Sequence, residues 1–430
     1  MAHTDSSTPA PKPSTLWDVV RVASGNFLEM YDFMVFGYFA GAIGKAFFPA
    51  GDEVGDLLKA LATFGVGFLM RPLGAIVLGA FTDRYGRRAG LLVTLLLMSV
   101  GIVTLTVTPG YAAIGLTAPI LVLAGRLVQG FSAGAELGNV SVYLAEMAPP
   151  GRKGFFVSWQ SASQQVSVVT AALVGVLVAS LLSPKAVESW GWRLPLALGC
   201  LIVPLLFLLR RHLKETEAFE TRGAPLSVGE ILAALWAAKG RVAGGLALVI
   251  MTTVSFYMIT AYTPTFGKLL HLPERANLLI TAGVGFSNLI WLPLVGALSD
   301  RIGRRPILIT CTALAILTAY PVMAWLASSP SVLRLLLVEL WLSALYGGYN
   351  AAMVVYLTEV VPPKVRASGF SLAYSLATAL GGFTPFICTW LIDRTHNLAM
   401  PGAWLTLCAA ISLIAALVLK PWSSGPRLPS

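Results

Sequence analysis

The sequence predicts an all-α membrane protein: twelve transmembrane helices arranged as two pseudo-symmetric six-helix bundles. Three observations lead there. The 430 residues are 56% hydrophobic and only 12% charged, with a mean hydropathy of +0.77. A soluble globule carries about a quarter charged residues, so this chain has too little polar material to cover itself. Its apolar residues come in runs of roughly 20 or more, the length an α-helix needs to cross a ~30 Å hydrocarbon core. Finally, loop motifs of the first half return in the second.

The spans fall near 22–44, 57–82, 89–108, 117–147, 155–182, 192–209, 242–266, 277–299, 306–327, 332–360, 367–392 and 402–419. Of the 30 Lys and Arg residues, 20 then lie on one side, 8 at or beyond the other ends of the spans and 2 (Arg71, Arg126) deep within them. The rich side holds Arg84, Arg87, Arg88, Arg152, Lys153, Arg301, Arg304, Arg305, Lys364 and Arg366. By the positive-inside rule it is cytoplasmic and carries both termini, in a bacterial inner membrane. The net charge of +10 thus sets topology, and nucleic acid is excluded as a partner.

The first fifteen residues are polar and Pro-rich, with no apolar core before a cleavage site, so they read as a disordered cytoplasmic tail. The expected domains are an N-terminal bundle over 16–209, a cytoplasmic linker over 210–241, a C-terminal bundle over 242–420 and a short tail over 421–430. All four cysteines (Cys200, Cys311, Cys388, Cys408) lie in spans without metal spacing and read as small apolar helix residues. No metal site and no cofactor is expected.

The segment Gly79-Ala-Phe-Thr-Asp83-Arg84-Tyr-Gly86-Arg87-Arg88 recurs as Gly296-Ala-Leu-Ser-Asp300-Arg301-Ile-Gly303-Arg304-Arg305, 217 positions later. Tyr143-Leu-Ala-Glu146-Met-Ala-Pro149-Pro150 recurs as Tyr356-Leu-Thr-Glu359-Val-Val-Pro362-Pro363, 213 positions later. Each pair occupies the loops after the second and fourth spans of its half, which implies two six-helix units in parallel orientation. Such units rock about a midplane site in transporters. Gly130, Gly134 and Gly138, every fourth residue of the fourth span, suit helices that approach closely and slide.

The repeated GxxxDRxGRR loop resembles the signature of the major facilitator superfamily, over nearly the whole chain. Gly25-Asn26-Phe-Leu-Glu29-Met-Tyr31-Asp32-Phe33 and Phe68-Leu-Met-Arg71-Pro72 are similar to the metabolite–proton symporter family, which usually has Trp where Met30 stands here. Gly130-Phe-Ser-Ala-Gly-Ala-Glu136-Leu-Gly138, Ser158-Trp-Gln-Ser-Ala-Ser-Gln-Gln165 and Ser371-Leu-Ala-Tyr-Ser-Leu-Ala-Thr378 resemble bacterial citrate–proton symporters. The resemblance implies a monomer or weak oligomer that carries a small carboxylate with protons.

Ionisable residues within spans are informative because each costs a few kcal/mol at the bilayer centre. They are Glu29, Asp32, Arg71, Arg126, Glu136 and, nearer the far end, Glu339. Glu29 and Asp32 are three apart and share a helix face. Asp32 lies roughly 15 Å above the cytoplasmic end of its span, and Arg126 about 14 Å below the other end of the fourth. Those depths coincide, so the two can meet across the first and fourth helices. A carboxylate with a detachable arginine stays ionised when paired and protonates when left alone in an apolar cavity. Proton-coupled sugar porters of the resembled superfamily place an Asp and an Arg in this way, which implies a coupling role for Asp32 with Arg126.

Glu136 lies about 15 Å closer to the cytoplasm than Arg126 and within about 80° of its face. It is either a second protonation site or an anchor for Arg71. Arg71, kinked by Pro72, binds a substrate carboxylate or neutralises Glu29 or Glu136. His3, His212, His271 and His396 fall in tails or loops, which leaves proton transfer to carboxylates.

Polar stripes line several spans: Gln160 and Gln164; Thr253 and Tyr257; Tyr349 and Asn350; Ser371, Tyr374, Ser375 and Thr378. In lipid such groups face the bundle interior. With Asn26, Arg71 and Arg126 they form the expected carboxylate site, since arginine matches the two oxygens of a carboxylate. The clusters Asp83, Arg87, Glu146 and Asp300, Arg304, Glu359 lie at the membrane edge, and the resemblance makes them gate parts.

The expectation is therefore a proton symporter for citrate or a related tricarboxylate. The same fold also suits a dicarboxylate, a shikimate-like acid or a zwitterionic osmolyte. A sensor would append a soluble output segment, which neither tail nor central loop is long enough to supply. An enzyme would need a nucleophile–base set, a metal cluster or a phosphate loop.

Overall fold

The computed structural model describes residues 27–49, 51–85, 87–134, 140–141, 144–145, 148–211, 228–361 and 366–421. The expected 1–15 tail, Asn26, Glu136, Gly138, Glu146 and residues 212–227 of the linker lie outside them, as do the side chains of Asp83 and Arg87.

Among the described residues the chain forms twelve helical rods. Three are single helices in the first half that are short or moderate in length: α5 (Arg87–Val107), α6 (Thr117–Ala133) and α8 (Arg193–Arg211). Long single helices form the fifth rod, α7 (Lys153–Leu181), and the eighth to tenth, α12 (Glu274–Ile302), α13 (Arg304–Ser328) and α14 (Val332–Val360). The twelfth is α17 (Met400–Val418). Eight rods contain a helix long and apolar enough to cross a membrane by length and composition. The predicted linker is partly helical: α9 (Val228–Ala237) precedes the seventh rod, which begins at Lys239.

Four rods are interrupted. The first is α1 (Phe27–Tyr38) and α2 (Ala40–Phe47), broken at Phe39. The second is α3 (Glu53–Leu69) and α4 (Arg71–Tyr85), broken at Met70. Pro72 has no N–H for the Phe68 carbonyl one turn earlier, which accounts for the second break. The seventh rod runs from α10 (Lys239–Tyr257) through a π-helical turn (Met258–Tyr262) into α11 (Thr263–Leu269), with Pro264 at the junction. The eleventh is α15 (Arg366–Gly381) and α16 (Thr384–Thr395), parted at Gly382-Phe383 ahead of Pro385. Irregular backbone at membrane depth is tolerated where it is buried in protein or lines a cavity.

Outward-facing Leu96, Leu116, Leu201, Leu317 and Val418 are more than half exposed, as lipid-facing side chains should be. Many inward hydroxyls return their proton to the carbonyl one turn back, such as Thr104 to Val100 and Thr312 to Leu308. This satisfies a polar group that lipid cannot.

Glycines set how closely the rods approach. A Cβ on Gly130 or Gly134 of the fourth rod would run into the Gly67 or Arg71 carbonyl of the second. The two bundles meet most extensively along α7 and α12. There Gly154 lies against Gly296 at one end, Gly285 against Val169 midway, and Gly175 against Leu278 further on. A substitution tests this packing. Gly130→Val should cost at least the ~1–3 kcal/mol of an overpacked core, read as a lower melting temperature in detergent. Gly79→Ala, which meets nothing within 4 Å, should leave melting unchanged.

Candidate functional site

Four buried charges lie near mid-depth in the first bundle. Arg126 on α6 donates from Nη1 to Asp32 Oδ2 on α1 at 2.7 Å, and to Gln129 Oε1 at 2.8 Å. Arg71, at the start of α4, donates from Nη2 to Glu29 Oε1 at 2.5 Å. All five side chains are buried, Asp32 and Gln129 completely. Glu29 and Asp32 lie within one turn of α1, so this single helix carries both carboxylates.

Aromatic rings insulate the pairs. The Arg126 guanidinium lies 3.9 Å over the Phe36 ring and that of Arg71 4.7 Å over Phe68. Phe33 lies between them, 5.3 Å from Arg71 and 5.4 Å from Arg126. An arginine held on a ring face keeps cation–π attraction while its carboxylate partner changes. Several atoms of the cluster are buried with no hydrogen-bond partner: Asp32 Oδ1, Arg126 Nε and Nη2, Arg71 Nε and Gln129 Nε2. Unsatisfied atoms of this kind are rare in folded proteins. They are concentrated here, around the two ion pairs.

A cavity opens beside this cluster between the bundles. Met30, Arg71 and Gln164 line it from the first half, and Thr253, Phe256, Tyr257, Tyr346, Tyr374 and Thr378 from the second. It encloses about 20 Å³, room for roughly one water. Among the described residues, the walls of the two bundles therefore lie close together at this depth.

Six of the sequence-predicted contacts meet at that cavity: Arg71, Gln164, Thr253, Tyr257, Tyr374 and Thr378. Others lie off its wall. Arg126 is held by Asp32 and Gln129. Gln160 accepts from Ser161, and Asn350 donates to Tyr346 at 3.4 Å. Ser371 is half-buried further along α15. The question of what Arg71 does gains an observation, because it holds Glu29 and faces the cavity at once.

Sequence reading missed Met30, Phe256 and Tyr346, whose apolar bodies look like ordinary core. It also missed Gln129, which its i+3 spacing from Arg126 could have flagged. A second unforeseen feature crosses the bundles: Asn288 of α12 donates to Gln165 of α7 at 3.3 Å, and Ser343 of α14 donates to Asn288 at 2.8 Å.

Both ends of the interface are closed among the described residues. At the end bearing the repeated loops, Asp300 accepts from Arg304 at 2.7 Å, as an i,i+4 pair. It also accepts from the backbone N–H groups of Gly154 and Phe155 at 2.8 and 3.1 Å. Asp300 thus caps the first turn of α7 in the opposite bundle, where a carboxylate suits the free N–H groups and the helix dipole. Arg304 Nε lies 3.7 Å from Glu359, completing the cluster expected from the sequence. The equivalent side chains Asp83, Arg87 and Glu146 are outside the described residues. At the far end, Glu53 bridges Lys45 of its own bundle at 3.5 Å and Lys268 of the other at 3.4 Å. Arg275 donates to the Ala179 and Ser180 carbonyls at 2.9 and 3.3 Å. His271 and His396 sit in positive-φ turns, remote from the cluster.

The profile of the Major Facilitator Superfamily matches residues 22–384 and, again, 276–428. The chain belongs to this family, and it is a multi-pass membrane protein. It is 54% identical to a citrate-proton symporter of Klebsiella pneumoniae, over 93% of this chain and 91% of the relative. It is 53% identical to a citrate-proton symporter of Salmonella typhi, over 96% and 95%. The alpha-ketoglutarate permease of Escherichia coli is 32% identical, over 96% and 95%. Among solved structures, a D-xylose-proton symporter superposes with a TM-score of 0.76 at 20% identity, covering 96% of this chain and 99% of that one. That likeness establishes the fold.

The Asp300 cap generates a test. Asp300→Ala should favour opening at the repeated-loop end by about 1–3 kcal/mol. In a chain whose four native cysteines are replaced, a cysteine introduced as Thr253→Cys should then be alkylated several-fold faster from that side. An unchanged rate would show that the cap does not hold the closed state.

Proposed function

We propose that this chain is a proton-coupled symporter that imports citrate, or a related tricarboxylate, across the bacterial inner membrane by alternating access. The observation that carries the substrate is the identity of 54% and 53% with two citrate-proton symporters over more than nine-tenths of the chain. Under this reading the end bearing the repeated loops is cytoplasmic, with both termini, because 20 of 30 Lys and Arg residues lie there. The bundles over 16–209 and 242–420 rock about the linker over 210–241, as a monomer or weak oligomer.

The charges explain why protons are needed. A multivalent anion entering an inside-negative cell works against ~2.3 kcal/mol per charge per 100 mV. Co-transported protons offset that cost. Arg71 is the cation at the cavity wall, and a substrate carboxylate competes with Glu29 for it. Once displaced, Glu29 loses the Arg71 charge, and breaking a buried pair by removing one partner costs about 3–5 kcal/mol. Taking up a proton removes the charge.

Asp32 and Arg126 repeat this logic one turn along α1, with Gln129 ready to hold the arginine while Asp32 is protonated. Glu136 is a further candidate proton carrier. Gln164, Thr253, Tyr257, Tyr374 and Thr378 supply neutral donors at the present wall. Asn26, Gln160, Asn350 and Ser371 join them as the cavity widens. Asp83, Arg87, Glu146, Asp300, Arg304 and Glu359 act as the cytoplasmic gate.

A dicarboxylate is the second reading, supported by the 32% identity to the alpha-ketoglutarate permease. Counterflow in proteoliposomes separates the two. Labelled citrate should exchange and resist competition by 2-oxo-dicarboxylates, and absence of citrate exchange would end the citrate reading. Asp32→Asn should abolish pH-driven accumulation while leaving some exchange; full accumulation by that variant would remove Asp32 from coupling. Arg126→Ala, which strands Asp32 without its cation, should reduce transport at least tenfold, measured as initial uptake rate.

A further inference from the structure

Glu339 is a buried carboxylate that the mechanism above does not use. It lies on α14, only 2% exposed. Unlike Glu29 and Asp32, it has no basic partner: among the described residues no Lys, Arg or His comes within ion-pair distance. Its Oε1 lies 2.9 Å from the Thr263 hydroxyl, and its Oε2 has no hydrogen-bond partner.

The hydrogen count around Thr263 is informative. Thr263 Oγ1 lies 2.9 Å from the Ile259 carbonyl and 2.9 Å from Glu339 Oε1, with the Met258 carbonyl at 3.4 Å. A threonine hydroxyl has one hydrogen to donate. Ile259 belongs to the π turn, and the residue five positions on is Pro264, which has no N–H. The Ile259 carbonyl accepts from the Thr263 hydroxyl at 2.9 Å.

Were Glu339 ionised, a carboxylate and a carbonyl would compete for that one hydrogen. A carboxylate that lost that hydrogen would be left buried as an uncompensated charge. A carboxylic acid removes the conflict. As an acid, Glu339 would donate its O–H to Thr263 Oγ1, leaving Thr263 to donate its own to Ile259. Oε2 is then a neutral carbonyl oxygen, much cheaper to leave unpaired than a charge.

No surrounding group supplies an alternative. The inward titratable residues of the packed elements are Tyr257 on α10, Tyr262 on the π turn, Cys311 on α13, Tyr374 on α15, and Tyr346 and Tyr349 on α14 itself. All are neutral at pH 7. The charges of α12 (Glu274, Arg275, Asp300, Arg301) lie at its two ends, as do Arg334 and Glu359 on α14; Lys153 begins α7, Arg304 and Arg305 begin α13, Lys239 and Arg241 begin α10, and Lys268 lies in the last turn of α11.

We propose that Glu339 is a second proton-binding site in the C-terminal bundle, occupied as the carboxylic acid while α11 rests on α14 and emptied when that contact opens. The proton comes from water and returns to water. That it is carried with substrate rests on the symport reading above; that it is bound in the closed state does not.

Glu339→Gln keeps the shape and offers an amide N–H to Thr263. Infrared spectra of wild type minus this variant, in lipid at neutral pH without substrate, should show the C=O band of a protonated carboxylic acid. An exposed glutamate, with a pKa of about 4.3, has no such band there. A carboxylate difference band instead would overturn the proposal. If Glu339→Gln does not fold, Asp32→Asn supplies the test: the acid band should survive in it, and loss of the band would assign the proton to Asp32 and overturn the proposal. In transport, Glu339→Gln should lower the proton-to-substrate ratio, measured from reversal potentials, by one. An unchanged ratio with the band present would overturn the transport role alone. Failure of wild type to couple protons to any carboxylate would instead strike the symport reading.

Discussion

A charge held in hydrocarbon must have a partner, and the architecture of this protein is arranged around that constraint. Glu29–Arg71 and Asp32–Arg126 place two anions and two cations where solvent does not reach them. Burying an ion costs several kcal/mol even in favourable surroundings, and mutual attraction repays this only with good geometry. The first, second and fourth rods must therefore be held in close register. Their glycines do this, by letting the backbones of Gly67 and Gly130, and of Arg71 and Gly134, lie against each other. A side chain at either fourth-rod glycine would push the rod that carries Arg126 away from the rod that carries Arg71.

The interruptions follow from the same need. Arg71 begins α4 directly after the break at Met70, Tyr257 ends α10 just before the π turn, and Thr378 lies near the parting at Gly382. All three line the cavity. Continuous helices would leave their polar backbone fully self-satisfied and their crossing angles fixed. Broken ones concentrate polar groups and bending at one depth. The two ends of the interface then close by different means. At the repeated-loop end, Asp300 is only 6% exposed and binds opposing backbone N–H groups. At the far end, Glu53, Lys45 and Lys268 are 38–66% exposed. Exposed ion pairs of that kind contribute about 0–1 kcal/mol, so the described contacts make the first end the firmer closure.

Which parts of this were legible in the sequence depends on the range of the interaction. Spans were, because length and hydropathy act locally; α14 begins and ends at the expected 332 and 360. The meeting of Asp32 and Arg126 was too, because a helix converts position into depth at 1.5 Å per residue. The repeated motif located Asp300 and Arg304 as neighbours one helical turn apart. It could not show that Asp300 caps α7, since that contact joins residues 146 positions apart across two bundles. The π turn at Met258–Tyr262 also escaped notice, although Pro264 marks the place where α-helical bonding fails. Tyr346, Phe256 and Met30 were invisible as cavity residues because an aromatic or thioether side chain fills a core equally well.

The position of Phe33 gives the two ion pairs a physical link. Its ring lies a little over 5 Å from both guanidinium groups, so neither arginine can swing across without displacing it. Of the two arginines only Arg71 lines the described cavity, so under the proposed symport a carboxylate arriving there would act directly on one pair alone. In that reading the second pair would sense the event through α1, which carries Glu29, Asp32 and Phe33 within five residues. A helix that loses one of its two anchors is free to turn or shift, and the other anchor must follow or break. Coupling between substrate and proton then requires no contact between them: one rigid helix bearing two carboxylates, each with its own arginine, is enough to make the state of one pair depend on the other.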